Sequence, residues 1–392
     1  MPYATTRGGT AASAAERAVS IDDFVAGFGE EPGYLDFARV GPLGRAVLEE
    51  QRGLGEQLGR ARFGSLDRLD RQDARVREAV AGLLRFRPDQ VVFQPNTSSG
   101  LMHAMFGITG GIAMSPAEYP SLTFAAARAA ETLGVLKPIW LETEYGKVTP
   151  GMIRDQLTPA CAAVAVSLVD FRTGFLADLD GIRQVIGDRL LIVDAVQAFG
   201  VVDAPWEVAD VIVSGGQKWV RAGWGTGFLA LSDRAAERLT PVFSSVSGAI
   251  AIGDELPLDE VLRPLAGTAA FSVGDPSPIA QAMFATALED IEQVGVEAIH
   301  DNVAEKVSSM IELADEFGIP IASPREPSER AGIVVLDPPA DRLTTLTASL
   351  YNHGVTATTR GGRVRLSAHV TTTDETFAML RAAFISHRAA TT

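Results

Sequence analysis

Short apolar runs of strand length alternate with longer helical patterns along most of this chain, an order that fits a parallel sheet wrapped by helices and few other folds. The strand candidates lie at residues 91–93, 163–168, 190–193, 211–213 and 227–231, with helical stretches at 66–84 before them and at 122–133 and 182–186 between them. After residue 235 the texture changes to a Ser/Gly/Pro-rich stretch, 242–278, and then to a long helical pattern from 278 through 317. The chain closes as strand, helix, strand, helix at 332–336, 343–352, 363–367 and 374–387, a small α+β unit. This divides the chain into a flexible leader over residues 1–20, a large α/β domain over 21–265 whose N-terminal segment contributes to the small domain, and a small C-terminal domain over 266–392.

Charge and composition exclude several classes of function. With 34 Lys+Arg against 49 Asp+Glu, the net charge is −15 in 392 residues. Nucleic acids and anionic membranes draw affinity from clustered basic residues, so neither is an expected partner. The single cysteine, Cys161, allows neither an internal disulfide nor a cysteine-based zinc site, which points to the cytoplasm. No apolar run reaches the length of a membrane span, and the leader has no hydrophobic signal stretch. The five histidines, His103, His300, His353, His369 and His387, lack metal-ligand spacing, and no metal is expected. There is no P-loop, nucleophile elbow or G-x-G-x-x-G after the first strand, which argues against a nicotinamide-dependent oxidoreductase.

Three segments carry candidate chemistry. Gln94-Pro95-Asn96-Thr97-Ser98-Ser99-Gly100 follows a strand and precedes the helical run 101–106. A helix N-terminus presents unpaired N–H groups, so this small-residue entrance suits a phosphate, with ordinary capping by Thr or Ser as the competing reading. In Leu191-Ile192-Val193-Asp194-Ala195-Val196-Gln197 an apolar strand ends in a carboxylate, where open parallel sheets bind ligands. Asp194 as a cap of the next helix is the alternative. Val211-Ile212-Val213-Ser214-Gly215-Gly216-Gln217-Lys218-Trp219 delivers a lysine from a third strand. In a sheltered cleft its charged form is disfavoured and the amine becomes nucleophilic, whereas on the surface after a turn it would do nothing.

Asp194 and Lys218 stand one strand-helix-strand unit apart, which puts both at the same edge of the sheet. Pyridoxal 5'-phosphate needs a lysine for its aldehyde, a carboxylate for its ring nitrogen and a cradle for its phosphate. Lys218, Asp194, and Thr97 with Ser98 supply them.

From Tyr34-Leu35-Asp36 to the C-terminal helix, the chain resembles the class V aminotransferase family of fold-type I pyridoxal-phosphate enzymes, which includes cysteine desulfurases, kynureninase-like and isopenicillin-epimerase-like proteins. Asp194-Ala195-Val196-Gln197 and Gly215-Gly216-Gln217-Lys218-Trp219 carry the likeness. The resemblance implies a mainly parallel, seven-stranded type of sheet with a smaller C-terminal α+β domain, a homodimer and a small amino-acid substrate. It implies that Lys218 holds the cofactor covalently, Asp194 keeps its ring nitrogen protonated, and Gln197 bonds its phenolic oxygen. Thr97, Ser98, Ser214 and Gln217 complete the cofactor contacts, and Tyr119 takes the place of the ring that stacks on it. Near the end, Arg363-Val364-Arg365-Leu366-Ser367 is similar to the family's arginine segment; Arg365 matches the residue that clamps a substrate carboxylate, with Arg363 as the alternative. Phe171 and Arg360 are substrate-side candidates, together with Arg172, Arg221 and Trp224, although Trp224 suits the core and the arginines the surface equally well.

The chain departs from the family in four respects: besides the two that follow, Asp275 stands where relatives often place a threonine reaching the partner subunit's phosphate, with Ser272 as a substitute, and Phe171 and Leu168 stand where relatives often place asparagine or histidine. Cysteine desulfurases carry a persulfide-forming cysteine shortly before the arginine segment, and residues 351–362 contain none. The serine that relatives place three residues before the lysine is replaced by Gly215, with Ser214 adjacent. The expectation is a pyridoxal-phosphate enzyme acting on the α-carbon of an amino acid, an aminotransferase or a carbon-sulfur β-elimination lyase without a persulfide cysteine. An epimerase or racemase, or a non-catalytic protein keeping the scaffold, are the alternatives.

Overall fold

Seven strands, β1 (Val91–Phe93), β2 (Gly110–Met114), β3 (Leu136–Trp140), β4 (Cys161–Ser167), β5 (Leu190–Asp194), β6 (Val211–Gly215) and β7 (Gly227–Leu231), form one sheet in the order β1-β7-β6-β5-β4-β2-β3. The pairings among β6, β5, β4, β2 and β3 are parallel, and β7 runs antiparallel to both its neighbours. The structure, a computed structural model, describes residues 19–64, 66–144, 146–250, 255, 257 and 259–391. The leader expected over residues 1–20 therefore lies, but for its last two residues, outside the described residues.

The strands read as unbroken apolar runs because the sheet is covered on both faces. Leu191, Val193 and Ile212 enter one core, which continues into the C-terminal lobe; Leu190, Ile192, Val211 and Val213 enter a second one under helix Thr97–Gly107 and helix Pro120–Leu133. Strands β2 and β3 escape the sequence pattern. Gly110 and Gly111 open the first, and Pro138 sits inside the second, which tolerates a missing donor because it is the edge strand. The helix expected between Asp194 and Lys218 is not formed: β5 reaches its parallel neighbour β6 through turns and a 3-10 turn at Trp206–Val208. The long helical pattern splits at Gly295, whose φ of +86° separates helix Pro278–Val294 from helix Val296–Glu316.

In the C-terminal region β8 (Ile333–Leu336), β10 (Arg363–Ser367) and β9 (Thr358–Arg360) pair antiparallel in that order. An N-terminal strap extends this small sheet. The Leu35 N–H donates to the Thr356 carbonyl at 3.0 Å, and the Ser367 N–H to the Leu35 carbonyl at 2.8 Å. From there the strap runs beneath the turn that follows β6, where the Gly41 N–H donates to the Gln217 carbonyl at 2.9 Å. Among the described residues, no helix is long and apolar enough to cross a membrane.

Candidate active site

The carboxyl ends of β4, β5 and β6 open on a cleft lined by Ser167, Asp194, Gln197, Lys218, Tyr119 and Phe171. Asp194 ends β5 as a buried residue. Its Oδ1 accepts the Val196 N–H at 3.0 Å within a turn, so it caps no helix. Oδ2 is buried and has no partner in the protein. Burial raises the Asp194 pKa, opposed by the Val196 hydrogen bond and by the Lys218 charge. Burial also brings the Lys218 ammonium down to about 8, with Asp194 opposing the shift and Arg365 reinforcing it. The lysine is therefore no solvated surface group. Its Nζ lies 5.6 Å from the centre of the Tyr119 ring.

The entrance after β1 differs from its sequence reading. The helix begins at Thr97 rather than 101, and its cap is Asn96, whose Oδ1 accepts the Ser99 N–H at 2.9 Å. Thr97 is thus free of capping duty, and its buried Oγ1 has no partner. Ser98 Oγ shares a hydrogen bond with Ser121 Oγ at 2.8 Å. Gly215 faces this entrance. A Cβ there would come within 2.9 Å of Thr97 Oγ1 and 2.4 Å of Gln217 Oε1, which accounts for a glycine at this position. Ser214 is buried, and its Oγ reaches only the adjacent Gly215 carbonyl at 3.5 Å.

Gln197 is oriented from two sides. Trp219 Nε1 donates to its Oε1 at 2.8 Å, and its Nε2 donates to the Ala38 carbonyl at 3.0 Å. The indole donor fixes which end of the amide is oxygen, leaving one Nε2 hydrogen for a ligand. Tyr119 meets Phe171 edge-on, with centroids 5.0 Å apart at 88°.

The two arginines of β10 have separate surroundings. Arg363 makes a bidentate pair with Asp337, at 2.9 and 3.1 Å. Arg365 faces the cleft: its Nη1 donates to the Phe171 carbonyl at 3.1 Å, Nη2 lies 3.7 Å from Asp36 Oδ1, and buried Nε has no partner. Arg360 is exposed on β9, and Arg172 pairs with Asp170 at 2.9 Å. Arg221 departs from both of its sequence readings. It is 1% exposed, pairs with Glu30 at 2.6 Å, stacks 3.7 Å from the Phe28 ring centre and bonds Thr371 at 3.1 Å. Trp224 is 74% exposed, so it is not a core residue.

Two contributors were missed. Asp36 is buried beside Arg365 and accepts from Thr358 Oγ1 at 2.7 Å; its signal was a carboxylate inside an apolar segment. Glu118 accepts the Ser167 N–H at 3.1 Å, and its place next to Tyr119 was the clue.

The aminotransferase class-V family model matches residues 65–390. A probable cysteine desulfurase of Methanothermobacter thermautotrophicus is 28% identical over 221 residues, covering 53% of this chain and about half, 55%, of that protein. An uncharacterized aminotransferase of Bacillus subtilis, YcbU, is 23% identical over 310 residues, 76% of this chain and 80% of the relative. Among solved structures, the apo cysteine desulfurase of Thermococcus onnurineus superposes with a TM-score of 0.78 at 21% identity, covering 89% of this chain and 93% of its own. The cystine C-S lyase C-DES, in complex with cysteine persulfide, gives 0.80 at 17% identity, covering 90% and 97%. These two likenesses are of fold.

Proposed function

Because this chain belongs to the aminotransferase class-V family of pyridoxal-phosphate-dependent enzymes, we propose that it acts on the α-carbon of an amino acid, as an aminotransferase or a carbon-sulfur β-elimination lyase. The observation that carries this reading is the meeting of Lys218, its ammonium brought down to about 8 by burial, with a buried Asp194 whose Oδ2 lacks a partner. Orphaned buried oxygens are rare in folded chains, and both Asp194 Oδ2 and Thr97 Oγ1 suit a cofactor that brings its own donors or a proton.

In this reading Lys218 would hold the cofactor covalently, Asp194 Oδ2 would keep the proton on its ring nitrogen, and the remaining Gln197 Nε2 hydrogen would be available to its phenolic oxygen. Thr97 and the first turn of its helix receive the phosphate, with Ser98, Ser214 and Gln217 around it. Pyridoxal phosphate, when bound, supplies an electron-poor ring that spreads the charge developing at Cα. Arg365 has donors left over after Phe171 and Asp36, and these bind the substrate carboxylate. Arg363 is already committed to Asp337, which favours Arg365 as the clamp. Lys218 would serve as the base for the Cα proton as a neutral amine; its lowered proton affinity makes that form available near neutral pH. Tyr119 closes one side of the cleft, held there by Phe171.

The reaction proceeds without a persulfide cysteine. Cys161, the chain's one cysteine, is 5% exposed at the amino end of β4. Six residues of strand put it about 20 Å from Ser167 at the cleft.

The absorbance spectrum of purified protein beside Lys218→Ala, with and without candidate amino acids, tests this proposal. A visible band that is lost or shifted in the variant is expected. Ammonia and a keto acid then indicate a lyase, and an aminated cofactor indicates a transaminase. Protein that stays colourless when offered pyridoxal phosphate would refute the reading.

A further inference from the structure

Arg221 stands three residues after Lys218, with its backbone in the left-handed region at a φ of +61°. Ala61 and Arg85, the other non-glycine residues of positive φ among the described residues, each close a helix, whereas Arg221 closes none. Such a conformation costs free energy and persists only where the surroundings hold it. Here the Arg221 N–H donates to the Lys218 carbonyl at 3.1 Å, which closes the turn 218–221.

The guanidinium supplies the hold. Its Nε donates to the Pro42 carbonyl at 2.6 Å, its Nη2 to Glu30 Oε2 at 2.6 Å and its Nη1 to Thr371 Oγ1 at 3.1 Å. Thr371 also bonds Glu30, and His369, two residues earlier, bonds the Trp219 backbone. Glu30 and Pro42 stand on either side of the strap, and Thr371 follows β10 six positions after Arg365. One buried side chain thus fastens the turn that delivers the lysine both to the strap and to the segment that carries Arg365.

We propose that Arg221 is a positioning residue for Lys218: anchored to Pro42, Glu30 and Thr371, it holds the 218–221 turn so that the Lys218 amine stays in the cleft with Asp194. The inference rests on the functional reading only for what that amine does.

The test follows the reactivity of the lysine itself in cofactor-free protein. Formaldehyde with cyanoborohydride methylates neutral amines, and peptide mass spectrometry compares Lys218 with the other lysines of the chain, Lys137, Lys147 and Lys306, across pH. Arg221→Gly removes the anchors while its backbone can stay left-handed without strain. Thr371→Val removes one anchor and keeps the pair with Glu30, so it serves where Arg221→Gly fails to fold. Neither variant alters Asp194 or Arg365, the charged groups that bear on Lys218. The Lys218 profile should rise around pH 8 in wild type and move up in the variants by about one unit or more, towards 10.5, as the amine meets water, while the other three lysines keep theirs. A Lys218 profile unchanged in the variants, whatever their melting temperatures, overturns the proposal, and so do equal shifts in all four lysines. Capture of pyridoxal phosphate, followed as visible absorbance, should slow about tenfold or more in Arg221→Gly. Wild type that stays colourless refutes the functional reading while the methylation profile still decides this one, so the two fail separately.

Discussion

Gly41 presses on the backbone of Lys218: a Cβ on Gly41 would stand 2.0 Å from the Lys218 carbonyl oxygen. The strap thus forms a wall of the turn that delivers the lysine, and it does so through backbone atoms, which cannot rotate away. Gly41→Ala must displace either the strap or the turn, an overpacking cost of about 1–3 kcal/mol. Thermal melts of cofactor-free protein should show that loss, and titration with pyridoxal phosphate a weaker binding. An unchanged binding curve would mean that the strap yields and the lysine stays in place.

Asp194→Asn should separate stability from function. Removing a buried carboxylate with an unpartnered oxygen relieves a desolvation penalty, so cofactor-free protein should be at least as stable as wild type. Cofactor affinity should fall by about a hundredfold, the loss of a buried charge partner of ~3 kcal/mol. Paired melting curves with and without cofactor check both halves.

The lowered proton affinity of Lys218 predicts a pH dependence. Folding brings its ammonium from 10.5 to about 8, so the penalty for burying the cation is full below about 8 and is relieved as pH rises towards 10.5. Cofactor capture by the neutral amine should accelerate with pH and level off above 8. Stopped-flow absorbance on cofactor-free protein measures it, and a rate flat across neutral pH would contradict the assignment.

Glu30→Ala leaves Arg221 buried without its carboxylate, a loss of about 3–5 kcal/mol. Thr371, which bonds both Glu30 and Arg221, gives the network a third member in the C-terminal region. Denaturant unfolding should register the full cost. A change under 1 kcal/mol would mean that water replaces the carboxylate.

The sequence was legible where local chemistry and tertiary position agree. Leu190 to Val193 and Val211 to Val213 are apolar on both faces, so buried parallel strands were visible, and Asp194 and Lys218 stand out because each interrupts or follows such a run. Gly110 and Pro138 hid two strands, since their suitability depends on neighbours and an edge that only the assembled sheet provides. Arg221 read as a surface or substrate charge because its partners, Glu30, Phe28 and Thr371, are distant in sequence. Asn96 lay unnoticed among residues that all make good caps, so the helix start was displaced by a turn.

The strap also sets an order of assembly. Ala38 bonds to a side chain 329 positions further along, Ser367, and Leu35 pairs with Thr356 and Ser367. During synthesis the first of these segments leaves the ribosome long before the others exist. Contacts so distant in sequence carry a larger loop-closure cost than the pairings between successive strands such as β5 and β6. The wall behind Lys218 therefore depends on contacts that can close only once residues 356–367 have been made, and so does the part of the core that Leu35, Phe37 and Ala38 enter.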